Sequence, residues 1–421
     1  MRVAKFLSVA VVLSGTLMSA ESSIFGHFGL VYDQGLSGGN KNGVDGNKLA
    51  RFGGVTTHLG YDLTAKNIGF GIGIYAGAGF SGTKVQVTKR NEAGEDVVGT
   101  DSTTAQTEME DQGRILYGKQ YGDLSDLYIR YDTGDLRLQG GRFDSEFIES
   151  DWLNTHVQGL GAFYNDKRFG AWGLWANDYT SYGYSANIEA SELAAYRPFS
   201  VPKNFGKKQI FAGGVNLMLS KSVTVKPFVN YYSNEKSDIF QAGGSAIFTF
   251  GDRGPNKSTT ALRAIFQSRF NETKNRTLLF WADQEFVVQD LLKLGGGFVQ
   301  GGLGGGRIFT PNDYSRFYAH KFITPTSYNQ NTQFFHGATN LIYIFGGVEN
   351  EFVDIDLLVA KGTFSEFSAI ASWKIVDKPS KFTKDNFLMK LGIGFVNHNY
   401  KDKDNQNGVK NNVFAFAKMS F

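Results

Sequence analysis

From Ile68 to Phe80 the chain reads IGFGIGIYAGAGF, apolar at every second position and, apart from Tyr75, glycine at every position between. A period of two puts these sets on opposite faces of one extended strand. One face is oily and the other nearly bare. The run is about thirteen residues long, where a strand in a water-soluble domain has roughly five or six. A tilted strand crossing a bilayer needs roughly 9–11 residues plus its interfacial ends. This stretch has that length.

The pattern recurs along the chain. Phe52–Leu63 alternates Val55, Thr57, Leu59, Tyr61 and Leu63 against Thr56, His58, Gly60 and Asp62, and only Thr64–Asn67 separates it from the opening stretch. Ile24–Asp33 places Ile24, Phe28, Leu30 and Tyr32 on one face. Leu127–Asp132 and Leu136–Phe143 flank Gly134-Asp135, and a two-residue turn there aligns Asp132 with Arg137 and Arg130 with Gln139 on one face. Leu127, Ile129, Tyr131, Leu136 and Leu138 then share the other, so both strands give the same register.

Further strands are expected near Val157–Asn165, Phe169–Thr180, Gln209–Leu219, Val223–Ser233, Ile239–Phe250, Thr259–Phe270, Thr277–Val288 and Leu294–Gln300. Ala338–Gly347, Glu351–Lys361, Glu366–Val376, Asn386–Asn397 and Asn412–Phe421 complete the series. Short and long connections alternate, as in a barrel with small turns at one rim and large loops at the other. The fold class is therefore all-β: an antiparallel transmembrane barrel of about eighteen strands, or sixteen if the blurred strands near Ala171 and Leu294 are dropped. Proline belongs outside paired strand interiors. Only Pro227 breaks that rule, which predicts a bulge in its strand.

The amino terminus has a different character. Arg2 and Lys5 precede an uncharged run from Phe6 to Ala20, and Glu21 opens a polar segment. That is the layout of a secretory signal peptide, cleaved after Ala20 or after Ser22, leaving residues 21–421 as one barrel domain. A net charge of +3, spread along the chain, gives no basis for nucleic-acid binding. The absence of cysteine removes thiol chemistry and disulfides.

Candidate functional residues follow from strand parity. Arg130, Arg137, Lys226, Arg263, Arg269 and Lys390 fall on the faces opposite the apolar ones, as do Asp132, Asp283, Glu285, Asp354 and Asp356. Charged rings of this kind set selectivity in pores, although neighbours such as Asp132 and Arg137 can simply pair across strands. Arg142, also a candidate for the constriction, lies on the apolar parity of its strand, which implies a strand top or a bulge. After Phe143 comes a compact acidic and aromatic loop, Asp144-Ser145-Glu146-Phe147-Ile148-Glu149-Ser150-Asp151-Trp152. Asp144, Glu146, Glu149 and Asp151 are its candidate constriction residues. The longer loops Ser181–Lys208 and Gly302–Gly337 are candidates to cover the mouth.

Other chemistry finds little support. The glycine run Gly295–Gly306 lacks the Gly-Lys-Ser/Thr of a phosphate loop. His27, His58, His156, His320, His336 and His398 show no pair at metal-ligand spacing, so neither metal nor cofactor is expected. No Ser/His constellation suggests a hydrolase. Trp172, Trp175, Trp281 and Trp373 read as interfacial girdles.

With Thr133-Gly134-Asp135-Leu136-Arg137-Leu138 running into Gly141-Arg142-Phe143 and the acidic loop, the chain resembles the OprD-type family of outer-membrane porins. It is also similar to the Hof-type outer-membrane proteins of Helicobacter relatives. The resemblance implies an 18-stranded barrel, a third loop (144–156) turned into the lumen, and wall arginines that select small substrates such as amino acids. Family members often carry a proline motif in that loop, where this chain has Trp152-Leu153-Asn154. The last strand, with Val413, Ala415, Ala417 and Met419 alternating up to Phe421, resembles the terminal signature read by the outer-membrane assembly machinery. Expected partners are therefore outer-membrane lipid, small hydrophilic solutes or ions, and that machinery. The assembly expected is a monomer or a trimer. The functional expectation is passive diffusion through a lumen narrowed by the acidic loop. The alternative is a closed barrel acting as an adhesin.

Overall fold

A computed structural model describes residues 21–38, 51–82, 84–88, 107–111, 122–150, 152–153, 156–179, 182–185, 194–196, 209–233, 238–251, 254–270, 276–303, 308, 339–380, 383, 386–401 and 407–421. The signal segment and most of the two long loops lie outside them. The strands are β1 (Glu21–Gly38), β2 (Arg51–Ala65), β3 (Ile68–Gly82), β4 (Lys84–Thr88), β5 (Thr107–Asp111), β6 (Asp123–Asp132), β7 (Leu136–Asp144), β8 (His156–Asn165) and β9 (Phe169–Tyr179). Next come β10 (Tyr182–Ser185), β11 (Ala194–Tyr196), β12 (Gln209–Ser220), β13 (Val223–Ser233), β14 (Ile239–Phe250), β15 (Lys257–Arg269) and β16 (Arg276–Val288). The last are β17 (Leu292–Leu303), β18 (Asn340–Glu349), β19 (Val353–Gly362), β20 (Ser365–Lys378), β21 (Phe387–Lys401) and β22 (Asn407–Ser420). Among the described residues no helix is long and apolar enough to cross a membrane.

Eighteen strands form one sheet in which each pairs antiparallel with its neighbours, while β4–β5 and β10–β11 are separate ribbons. Strand β1 pairs with β22 as well as with β2, so the sheet closes. At the seam Gly26 and Phe421 exchange backbone hydrogen bonds of 2.8 and 3.0 Å. Closure matters in lipid because an open edge would leave backbone groups with no partner. The expected hairpin at Gly134-Asp135 has the expected register, with Asp132 opposite Arg137 and Arg130 opposite Gln139.

Parity holds on the outside. Ile68, Phe70, Ile72 and Ile74 of β3, Ile129 of β6, Ile342 and Ile344 of β18 and Ile393 of β21 are all exposed. The bare face of β3 has a physical purpose. A Cβ at Gly69 would come within 2.8 Å of the Arg130 guanidinium, at Gly71 within 2.2 Å of the Tyr128 ring, and at Gly73 within 2.6 Å of the Asp126 carboxylate. Large polar side chains of β6 lie flat over the glycines.

Three expectations need correction. At Pro227 no bulge forms: Gly214↔Phe228 and Leu217↔Val225 keep one register, and the ladder merely lapses between them. Proline has no N–H to donate, and losing one rung costs less than shifting a register that fixes every face. Second, only Trp175 and Trp373 stand on the outer surface, whereas Trp172 and Trp281 are buried inside. Third, the inner face is not wet all round. Leu174, Ile210, Phe228, Ile265, Leu279, Val299, Leu341 and Leu358 point inward and join Ile148, Trp152 and Leu153 of the segment after β7 in one apolar cluster. Parity separates inside from outside, but what fills the inside decides its polarity.

Candidate functional site

Polar and apolar groups gather at different places inside the barrel, and the segment after β7 contributes to both. Asp144 ends β7, and its Oδ1 accepts the Glu146 N–H at 2.9 Å, capping a 3-10 turn over Ser145–Ile148. Glu149 ends that turn at φ 54°. Ile148, Trp152 and Leu153 are buried, and the Trp152 ring lies 6.5 Å from that of Trp281 on β16, across the lumen. Phe147 packs against the same apolar cluster, its ring 5.7 Å from that of Phe143, and also lies 4.5 Å from the Arg137 guanidinium. Apolar contacts and one aromatic–cation contact thus hold the segment together.

A cavity of about 900 Å³ lies between this loop and the wall, lined by His27, His58, Tyr75, Asp126, Tyr128, Arg137, Gln139, Asp144, Glu146 and Phe147. Arg137 donates to Gln139 Oε1 from Nε (3.0 Å) and Nη2 (2.7 Å). With neutral partners only within hydrogen-bonding or ion-pairing reach among the described residues, its charge is felt in the cavity. Arg130 is different: its Nη1 and Nη2 donate to Asp62 at 3.1 and 3.0 Å, and Tyr128 donates to the same carboxylate at 2.5 Å. Asp132 accepts the Gly134 N–H at 2.8 Å and so serves the turn.

Further round the wall, Lys374, Lys390 and Lys418 face one another on adjacent strands, paired Lys374↔Lys390 and Lys390↔Lys418. Asp354 accepts from Lys390 (2.7 Å) and is in ion-pair range of Lys374 (2.9 Å). Like charges directly opposite on neighbouring strands are destabilising. One carboxylate between two of the lysines offsets part of that cost.

Across the lumen Arg263 donates to Asp283 at 2.7 Å and stacks 4.5 Å from the Trp281 ring. Tyr343 also donates to Asp283 and accepts from Trp281 Nε1 at 2.6 Å. Here charge is balanced on the spot.

No protein-family model matches the chain, and no curated protein matches it. Solved structures do. OpdO of Pseudomonas aeruginosa superposes with a TM-score of 0.58 at 11% identity, over 95% of this chain and 97% of that one. OccAB2 of Acinetobacter baumannii gives 0.56 at 12%, over 95% and 98%. OpdK of P. aeruginosa, solved with vanillate, gives 0.58 at 7%, over 96% and 99%. The fold is that of OprD/Occ porins. Identities this low speak for the fold alone.

Within that fold the residues expected from sequence divide. Arg137, Asp144 and Glu146 meet at the large cavity. Glu149 and Lys226 line a second one of about 400 Å³, beside the Gly134-Asp135 and Asp166–Arg168 turns. Arg263 and Asp283 pair on the far wall. Arg269 and Glu285 keep the inner parity of β15 and β16 but border neither cavity. Arg142 is a correction. It stays on the outer parity of β7, donating to Gln158 (2.8 Å), the Leu124 carbonyl (2.8 Å) and Asp123 (3.4 Å). Register shifts beside it, at Gly73/Ile74 against β6 and Gln158/Gly159 in β8, disturb the pleat there. Asp151 lies outside the described residues. Linear spacing missed one grouping, that of His58, Asp126 and His156. These belong to β2, β6 and β8, and only strand order brings them together.

Proposed function

We propose that this protein is an outer-membrane porin that passes small hydrophilic solutes by passive diffusion, with its narrowest part between the 144–156 loop and the wall carrying Arg137. One observation carries the reading: a closed eighteen-stranded wall, oily outside, holds a charged cavity of about 900 Å³ inside. A polar lumen stands in for bulk water, and no covalent chemistry is needed. Asp126, Asp144 and Glu146 outnumber Arg137 in the cavity lining, so the narrow part presents opposed charges, and Arg137 with the Lys374–Lys390–Lys418 row supplies the cations that a carboxylate would use along the wall. OpdK, similar in fold, was solved with vanillate, an aromatic carboxylate, and small carboxylates are the substrate class we assign. The narrower kinship with Hof-type proteins rests on the strand and loop motifs around Gly134 and Arg142. Recording single channels of the purified protein in a planar bilayer tests the proposal. Steady open conductance with anion preference supports it, and silence from folded protein overturns it.

A second reading has its own support. An apolar cluster that includes Trp152 and Trp281 is buried inside the barrel, as a closed surface-interaction barrel would require. Silent channels would favour it.

A further inference from the structure

We propose that His58, Asp126 and His156 form a binding site for a divalent transition-metal ion of the zinc class, which ties the base of the inturned loop to the barrel wall. One ligand atom from each lies within 4.8 Å of the others, and all three residues are buried. His58 Nε2 stands 2.6 Å from Asp126 Oδ2, and His156 Nε2 is 3.7 Å from Asp126 Oδ1. Zinc held at about 2.0–2.2 Å by nitrogen and oxygen needs ligand atoms a little over 3 Å apart, a separation these distances bracket. On binding, the ion takes the place of the proton that His58 Nε2 shares with Asp126, and that imidazole carries its proton on Nδ1.

The surroundings are those of a metal site. Ligating imidazoles characteristically turn their second nitrogen to a carboxylate, which fixes tautomer and orientation. His156 does this: Nε2 faces Asp126 while Nδ1 lies 3.7 Å from Asp144 Oδ2. The carboxylate ligand is itself oriented, because Ser125 Oγ donates to Asp126 Oδ2 at 2.6 Å. The Tyr75 hydroxyl lies 3.1 Å from His156 Nε2 and 3.2 Å from its Nδ1, beside the imidazole. Two imidazoles with one carboxylate suit zinc-class ions better than magnesium or calcium, which take oxygen.

The position gives the site a role. His58 and Asp126 belong to the wall, whereas His156 begins the strand that follows the loop and Asp144 both backs His156 and caps the loop's first turn. An ion here bridges wall and loop. The assignment does not depend on the porin reading, because its readout is bound metal.

The test uses the full mature chain, purified in detergent, stripped with chelator and dialysed against zinc at buffered micromolar free concentration. One zinc per chain is expected, with X-ray absorption reporting two imidazole nitrogens at about 2.0–2.1 Å. His58→Gln and His156→Gln, checked for barrel folding by heat-modifiable gel mobility, should lose the zinc. Asp144→Asn should bind about 10–100-fold more weakly. Absence of zinc in the wild type, an oxygen-only coordination shell, or zinc retained by both histidine variants overturns the site. If a histidine variant does not fold, stoichiometry and spectrum of the wild type decide alone.

Discussion

Replacing Arg137 with glutamine isolates the electrostatics of the narrow region. The guanidinium is held by Gln139 and by the face of Phe147, both neutral, so its removal subtracts a full positive charge from the cavity. An ion passing about 4–8 Å away in watery surroundings feels roughly 0.5–1 kcal/mol from one charge. At about 0.1 M salt the screening length, about 10 Å, leaves much of this intact. Since 1.4 kcal/mol is tenfold, the chloride-to-potassium permeability ratio should fall about 2–5-fold. Arg263→Gln provides the internal contrast. Its charge is already met by Asp283 at 2.7 Å, and its removal leaves that buried carboxylate without its cation. Reversal potentials of both variants in a potassium chloride gradient measure the two shifts. An unchanged ratio in the Arg137 variant would refute the placement of that charge at the narrow part. So would an Arg137 shift confined to low salt but absent at 0.1 M.

Gly71→Val should push the Tyr128 ring off the wall and break its hydrogen bond to Asp62; with a charged acceptor this costs about 1.5–3 kcal/mol, measurable as a lower urea midpoint for the refolded barrel. Ile72→Arg, on the outer face of the same strand, should destabilise by up to about 2–4 kcal/mol in lipid and far less in denaturant-free detergent, as tested by folding into vesicles. Trp152→Ala removes the loop's contact with Trp281, so single-channel conductance should rise while the barrel still folds; an unchanged conductance would mean the loop is held by other contacts.

Much of the wall was legible because a half-buried strand repeats every two residues, and the repeat survives whatever the loops do. The Asp132↔Arg137 register came from two strands and one glycine turn, all local. The interior was harder to read. Leu279 and Ile265 lie inward among polar neighbours, and nothing local distinguishes a side chain that meets water from one that meets a loop folded in from elsewhere. Trp172 and Trp281 were misplaced for the same reason. Aromatic residues suit both a membrane interface and an apolar plug, and the choice depends on Trp152, distant in sequence. His58 and His156 are neighbours through strand order, which linear spacing does not show. Arg142 could be recognised as anomalous from its parity, but its partners required the shifted pleats on either side.

The glycine face of β3 bears on the bore of the channel. In a closed wall of fixed strand number and stagger the backbone circumference is set, so the open width depends on how thick the inner lining is. Where β3 offers no side chain, Asp126, Tyr128 and Arg130 recline along the wall instead of standing out from it. Adding a single methyl group there would tilt a whole ring or guanidinium towards the axis, narrowing the passage without any change in the loops. Such positions let the aperture be graded in small steps while the scaffold stays the same.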